Sequence, residues 1–405
     1  MLDSLDGLSV SDALGAQFFI MGRSLSGLRS GTPPLGRWDW TDDIEMACSV
    51  VAELHQHQQI DQDRLAARFA RRFSPERDYG HATVITLRQI RDGKRWKETA
   101  GAAFEGQGSC GNGAAMRVAP LGAYYADDPQ RAVTEAVRSA QVTHMNSEGV
   151  TGAVAVAIAA GQAAFAHHTQ TPPTPTEFLT AILGHLEPGE TTHGIRRARA
   201  LFGTTVAEAA HELGNGSRVK SQDTVPFALW AAATYLDDYP AAVTACIEAD
   251  GDIDTTCAIT GGIVAAYTGT ATETGVPQTW LAAREPLPSW LTTTNRPAVG
   301  SINRGGTSRS TLTIFAVNSG QRRTLARARP VATMRKAAGC NALPCPYIRR
   351  AGMHRSGCDV EGSDTRCLET ANPGQRSRDH YLARPGDDFC PIPRPAGDCS
   401  RSASR

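Results

Sequence analysis

Across residues 1–270 apolar side chains recur at helical spacing, Gly and Pro break the runs, and no β-branched segment alternates with a strand's period of two. That rhythm restricts the chain to an all-α fold, in which each helix hides an apolar stripe against its neighbours. Residues 42–56 carry Ile44, Ala47, Val51 and Leu54 on one face, and residues 61–72 do the same with Leu65 and Phe69, ahead of Phe73. Residues 129–142 follow suit. The segment 149–165 is apolar nearly all round, the pattern of a helix at the centre of a bundle. It is Ala-rich and punctuated by Gly and Gln, short of the ~20 apolar residues that span a bilayer, so no membrane association is expected. The stretch TQTPPTPT at 169–176 cannot continue a helix and reads as a surface loop. Helices are then expected over 177–186, 192–213 and 225–236.

Beyond Trp290 the pattern collapses into Arg-, Ser-, Gly- and Pro-rich sequence that buries too little apolar surface to order itself. Charge divides near the same place. Residues 296–405 hold 19 Lys/Arg against 8 Asp/Glu, leaving 22 basic and 33 acidic residues in 1–295, although the whole chain sums to zero. The expected organisation is a helical domain over 1–295 and a basic, largely disordered extension over 296–405, with a short strand near 312–317. A basic tail raises nucleic acid as a partner, but no aromatic residues interleave with the cations and the main body is acidic, so none is expected. The six tail cysteines match no zinc spacing, and Cys48, Cys110, Cys246 and Cys257 are expected to be buried as small hydrophobes in helices. The opening MLDSLD lacks the basic and apolar regions of a secretory signal, and a cytoplasmic monomer is expected.

Two segments concentrate carboxylates where an apolar helix begins, which costs free energy unless something cationic neutralises them. In Trp40-Thr41-Asp42-Asp43-Ile44-Glu45, Thr41 reads as the N-cap and the aspartates as first-turn residues favoured by the helix dipole. In Asp250-Gly251-Asp252-Ile253-Asp254-Thr255, Asp252 and Asp254 sit in a Gly-bearing loop ahead of an apolar helix at 258–267. There they can aim at one centre, with Thr255 adding a neutral oxygen. Hard oxygens of this kind suit Mg²⁺ or Mn²⁺ rather than zinc, and the Gly and Glu that an EF-hand needs later in its loop are missing. Between the two lies GQGSCGNGAAMRVAP at 106–120, whose glycines let backbone N–H groups approach a diphosphate closely. It is not a Walker loop, because no Lys-Ser/Thr follows.

Together these segments resemble the ADP-ribosylglycohydrolase family. Five stretches match in order: GLSVSDALGA at 7–16, WTDDIEMA at 40–47, GNGAAMRVAPLG at 111–122, Thr143-His144, and GDIDTTCAITGGIVAAYTG at 251–269. The resemblance implies an orthogonal multi-helix bundle with two divalent ions, Mg²⁺ or Mn²⁺, held by Thr41, Asp42, Asp43, Asp252, Asp254 and Thr255. It implies hydrolysis of the glycosidic bond between ADP-ribose and a modified protein side chain or small molecule. Asp42 or Asp43 would then orient or deprotonate the attacking water. Gly111, Asn112, Gly113 and His144 are implied to line the ADP-ribose pocket, His144 having an equal reading as a core or capping residue.

The chain departs from the family pattern at Ser11, where Gly is usual, and at Ile44 and Ile253, where Thr is common. It also has Phe18-Phe19-Ile20 where some relatives carry a glutamate. That departure points to an arginine-linked or small-molecule substrate rather than a serine-linked one, and the two phenylalanines are expected in the core. The competing reading is a non-catalytic ADP-ribose binder or structural relative, which the joint presence of all four aspartates disfavours.

Overall fold

The computed structural model describes residues 1–20 and 23–293, all within the first of the chain's two compact units, Met1–Arg309. The expected boundary at 295/296, the disordered extension and the strand near 312–317 lie outside the described residues. Among the described residues there are seventeen α-helices and no strand, in agreement with the all-α expectation.

The first six helices are α1 (Leu2–Ala16), α2 (Leu25–Arg29), α3 (Asp42–His57), α4 (Gln62–Arg72), α5 (His81–Arg91) and α6 (Trp96–Ala102). A short helix α7 (Ala119–Tyr124) leads to α8 (Pro129–Gln141) and the long α9 (Ser147–Thr169). Then come α10 (Pro175–Leu183), α11 (Glu190–Ala198), α12 (Val206–Leu213) and α13 (Ser221–Thr234). The described part closes with α14 (Tyr239–Ala249), α15 (Ile253–Thr268), α16 (Gln278–Ala283) and α17 (Ser289–Thr293).

Helix α9 runs 23 residues, longer than its apolar stretch suggested, and by length and composition it could cross a membrane. Its most apolar window is 78% buried inside the protein, the central-helix role that its all-round apolarity predicts. Helix α15 is likewise buried along most of its length. Its partner is α1, which packs antiparallel to it at very short range because glycines face each other. A Cβ on Gly7 would stand 2.1 Å from Ala265 Cβ, and one on Gly261 2.2 Å from Ser11 Oγ. Hydrogen bonds close the seam, from Ser4 Oγ to Gly262 O (2.7 Å) and from Tyr239 OH to Gly7 O (2.6 Å). This contact brings the C-terminal end of α1 against the first turn of α15.

Three expectations need correction. The single helix expected over 192–213 is two, because Gly203 adopts φ = +89° and a capping box between Thr205 and Glu208 restarts the chain as α12. Helix α15 begins at Ile253 rather than near 258, so Asp254 and Thr255 stand in its first turn and not in a loop. Phe18 packs against the core, but Phe19 is 53% exposed at the end of a short 3-10 turn that follows α1.

Candidate active site

The N-termini of α3 and α15 converge beside the end of α1 and deliver their carboxylates to one place. Thr41 caps α3, its Oγ1 accepting from Asp43 N at 3.4 Å, and the Asp42 N–H donates to Arg77 O at 2.7 Å. Arg77 braces the approach to the helix. Its guanidinium pairs with Glu285 at 2.7 and 3.0 Å, donates to Trp40 O, and lies over the Trp40 ring. At the other helix, Asp250 (φ = +60°) and Gly251 (φ = +80°) turn the backbone sharply, and a Cβ on Gly251 would collide with Asn215 O at 2.4 Å. Asp252 occupies the cap position without making a side-chain cap; its Oδ2 instead accepts from Asn112 Nδ2 at 2.6 Å. Asp254 Oδ1 accepts from Thr255 N at 2.8 Å.

A fifth carboxylate, which sequence reasoning passed over, completes the group. Asp12, on α1 and fully buried, accepts from Thr41 N (2.9 Å) and Thr41 Oγ1 (2.6 Å). Carboxylate oxygens of Asp12, Asp43 and Asp254 all lie within 4.8 Å of one another. The available signal was a carboxylate in the apolar and small-residue C-terminal half of α1, where it is costly without a purpose.

No Lys or Arg forms an ion pair with any of these five aspartates among the described residues. Burial is therefore the largest influence on each of them. It pushes Asp12 up to about 7 and lifts Asp252 above the usual carboxylate range. Asp42, Asp43 and Asp254 are raised well above it, with neighbouring aspartates adding repulsion. Asp43 Oδ1 is buried without a hydrogen-bond partner. An orphaned, buried oxygen on a carboxylate that lies beside two others fits a divalent cation, since hard oxygens at this density are its ordinary donors.

These carboxylates form one wall of a cavity of about 470 Å³. Asp42, Asp43, Asp252, Asp254 and Thr255 line it, as do Gly111, Asn112, Gly113 and His144, so nine of the ten sequence-identified residues meet there. Thr41 stands one layer behind, bonded to Asp12. The lining also includes the glycine loop and the segment before α13, joined by an isolated bridge between Gly111 and Lys220 and by Asn112 N–H donating to Val219 O at 3.3 Å. Arg218 and Lys220 thereby enter the lining. Neither was legible in the sequence. Phe104 and Val219, both about half exposed, face the same cavity with φ of +51° and +55°. Such values strain a β-branched or aromatic residue and mark a backbone held in place by its surroundings.

Asn112 lies 3% exposed, with Nδ2 shared between Asp252 and Thr224 Oγ1, so its side chain orients the acidic wall. Cys110 is half-buried in the loop rather than packed in a helix, unlike the fully buried Cys48, Cys246 and Cys257. Phe19 is not among the lining residues. A larger groove of about 910 Å³ between α4 and α6, with Arg71, Lys94 and Lys97 at its edge, holds none of the acidic cluster.

The family model of ADP-ribosylglycohydrolase matches residues 1–309. The chain belongs to the ADP-ribosylglycohydrolase family. It is similar to ADP-ribosylhydrolase ARH3 of Homo sapiens, 31% identical over 288 residues that cover 62% of this chain and 76% of the human protein. The ARH3 of Gallus gallus is 30% identical over 329 residues, covering 68% and 86% respectively. An uncharacterized protein of Archaeoglobus fulgidus is 29% identical over 290 residues, covering 68% of this chain and 88% of that protein. Among solved structures, an ADP-ribosylglycohydrolase-related protein complex superposes with a TM-score of 0.50 at 25% identity, over 72% of this chain and 94% of that one. The likeness to the structure covers most of its length, so the helical bundle described above is the family's architecture.

Proposed function

We propose that the protein is a divalent-metal-dependent hydrolase that cleaves the glycosidic bond between ADP-ribose and an acceptor, and that two ions, Mg²⁺ or Mn²⁺, occupy the acidic wall. The ligands are Thr41, Asp42 and Asp43 from the start of α3, with Asp252, Asp254 and Thr255 from the start of α15. The observation that carries this reading is the set of buried carboxylates without a cationic partner among the described residues, one of whose oxygens, Asp43 Oδ1, has no hydrogen-bond partner. When bound, the ions supply neutralising charge and Lewis acidity toward the ribose hydroxyls.

The residues themselves supply the rest. Asp42 or Asp43 accepts the proton of the water that attacks the anomeric carbon. Asn112 holds Asp252 in its direction through the 2.6 Å hydrogen bond. The one cavity is lined by the carboxylates and also by Arg218, Lys220 and the glycine loop. A ligand that carries both ribose hydroxyls and an anionic diphosphate matches that mixture of groups. Phe104, presented at the rim, offers a flat face to a nucleobase.

The test is ADP-ribose release from ADP-ribosyl-arginine and, separately, from a serine-linked ADP-ribosyl peptide, in Mg²⁺ or EDTA, beside Asp42→Ala and Asp254→Ala. Metal-dependent release that falls about a thousandfold or more in both variants is expected, since each removes several kcal/mol of charge stabilisation. Binding of ADP-ribose without release from either conjugate would favour a non-catalytic family member.

A further inference from the structure

Arg117 has no exposed surface, and all three of its hydrogen bonds to oxygen point toward the cavity wall or the helix behind it. Nη1 donates to Gly113 O (3.0 Å), while Nη2 donates to Ser139 O (2.8 Å) and Thr143 Oγ1 (3.0 Å). Thr143 Oγ1 in turn lies 2.7 Å from His144 Nδ1. A hydroxyl has one hydrogen and two lone pairs, and a guanidinium only donates. Arg117 therefore takes a lone pair of Thr143. The threonine is 3% exposed, and its hydroxyl hydrogen has His144 Nδ1 as its one acceptor among the described residues. With the hydroxyl donating to it, Nδ1 accepts and the ring proton belongs on Nε2.

Nε2 faces the cavity. His144 is itself 3% exposed, lines the cavity, and makes no hydrogen bond through Nε2 among the described residues. The space in front of Nε2 exists because Gly111 and Gly113 have no side chains: a Cβ at either would stand 3.2 Å from that nitrogen. We propose that Arg117, acting through Thr143, locks His144 in its neutral Nε2–H tautomer, so that the ring is a fixed donor to an anionic oxygen of the bound ligand's diphosphate. The identity of that ligand rests on the function proposed above. The lock also keeps His144 out of the metal set, because a protonated nitrogen has no lone pair to offer a cation. Burial and the Arg117 charge both oppose a second proton, holding the imidazole down to about 3.

Arg117 and Thr143 are positioning residues, and their role is separable from folding. The full chain labelled with ¹⁵N histidine is expected to show His144 with a protonated Nε2 and an unprotonated Nδ1 between pH 5.5 and 8. Thr143→Ser keeps the hydroxyl and should keep both the tautomer and the affinity for free ADP-ribose. Thr143→Val keeps the shape, and should give mixed tautomers and about tenfold weaker ADP-ribose binding in calorimetry, the scale of one lost bond to a charged group. Arg117→Lys should likewise mix the tautomers. A protonated Nδ1 in the wild-type chain, or a Thr143→Val variant with unchanged tautomer and affinity, overturns the proposal. A wild-type chain with Nε2–H in place that binds no ADP-ribose supports the lock and overturns the ligand reading instead.

Discussion

The two helix starts that build the acidic wall reach the same result by different means. At α3 the sequence supplies its own frame: Thr41 caps the helix, the next two residues are the aspartates, and Asp12 grips the cap from α1. At α15 no side chain caps the helix, and Asp252 is held from outside by Asn112, on the glycine loop 140 residues away. The α3 start thus combines a local cap with a grip from α1, whereas Asp252 is held by a tertiary contact without a cap. The α3 aspartates inherit their geometry from a capped turn, whereas Asp252 depends on a loop that also forms the ligand cavity. The glycine loop is thus joined directly to the acidic wall at Asp252.

Three experiments press on that difference. Asn112→Ala has the largest expected effect, a 10- to 100-fold loss of divalent-cation affinity, because it removes the outer partner that orients a ligand. Titration calorimetry checks it, and unchanged affinity would place the control of Asp252 within α15 itself. Thr41→Val strips the cap and the bond to Asp12, which should cost about 1 kcal/mol of stability, read as a fall of about 2 °C in the thermal midpoint. No fall would mean that packing against α1 alone fixes α3.

The smallest effect is a pH trend. Burial lifts Asp12 to about 7, above its unfolded value near 3.8, so in the metal-free chain the folded state retains a proton that the unfolded state has released. The stability from this group is therefore complete below pH ~4 and is lost as pH rises toward 7. In EDTA the thermal midpoint should drop by a few degrees between pH 5 and pH 7. Saturating Mg²⁺, by favouring the ionised carboxylates, should flatten or reverse the slope.

The same contrast explains what could be read from the sequence. The α3 site was legible because cap, charge and apolar period are adjacent in the chain, and the helix does begin at Asp42. The α15 residues were identified, but their helix was placed five residues late. Gly251 and the β-branched Ile253, Thr255 and Thr256 read locally as loop, while antiparallel packing on α1 makes them helical. Asp12 was hidden because one carboxylate among small and apolar neighbours carries no spacing pattern. Arg218 and Lys220 reach the cavity through the pairing of their segment with the glycine loop, between distant stretches of chain that no local rhythm announces. Phe19 misled for the opposite reason: its aromatic character suggested the core, yet α1 ends at Ala16 and the turn that follows carries it outward.

The central claim is that carboxylates from the starts of α3 and α15 are brought together to hold metal, and direct titration of the purified chain with Mn²⁺ tests it without reference to any substrate. Two ions bound per chain, with binding weakened by orders of magnitude in both Asp43→Ala and Asp254→Ala, is the predicted result. A chain that takes up no Mn²⁺, or binds it equally well without Asp43 and Asp254, would contradict the account.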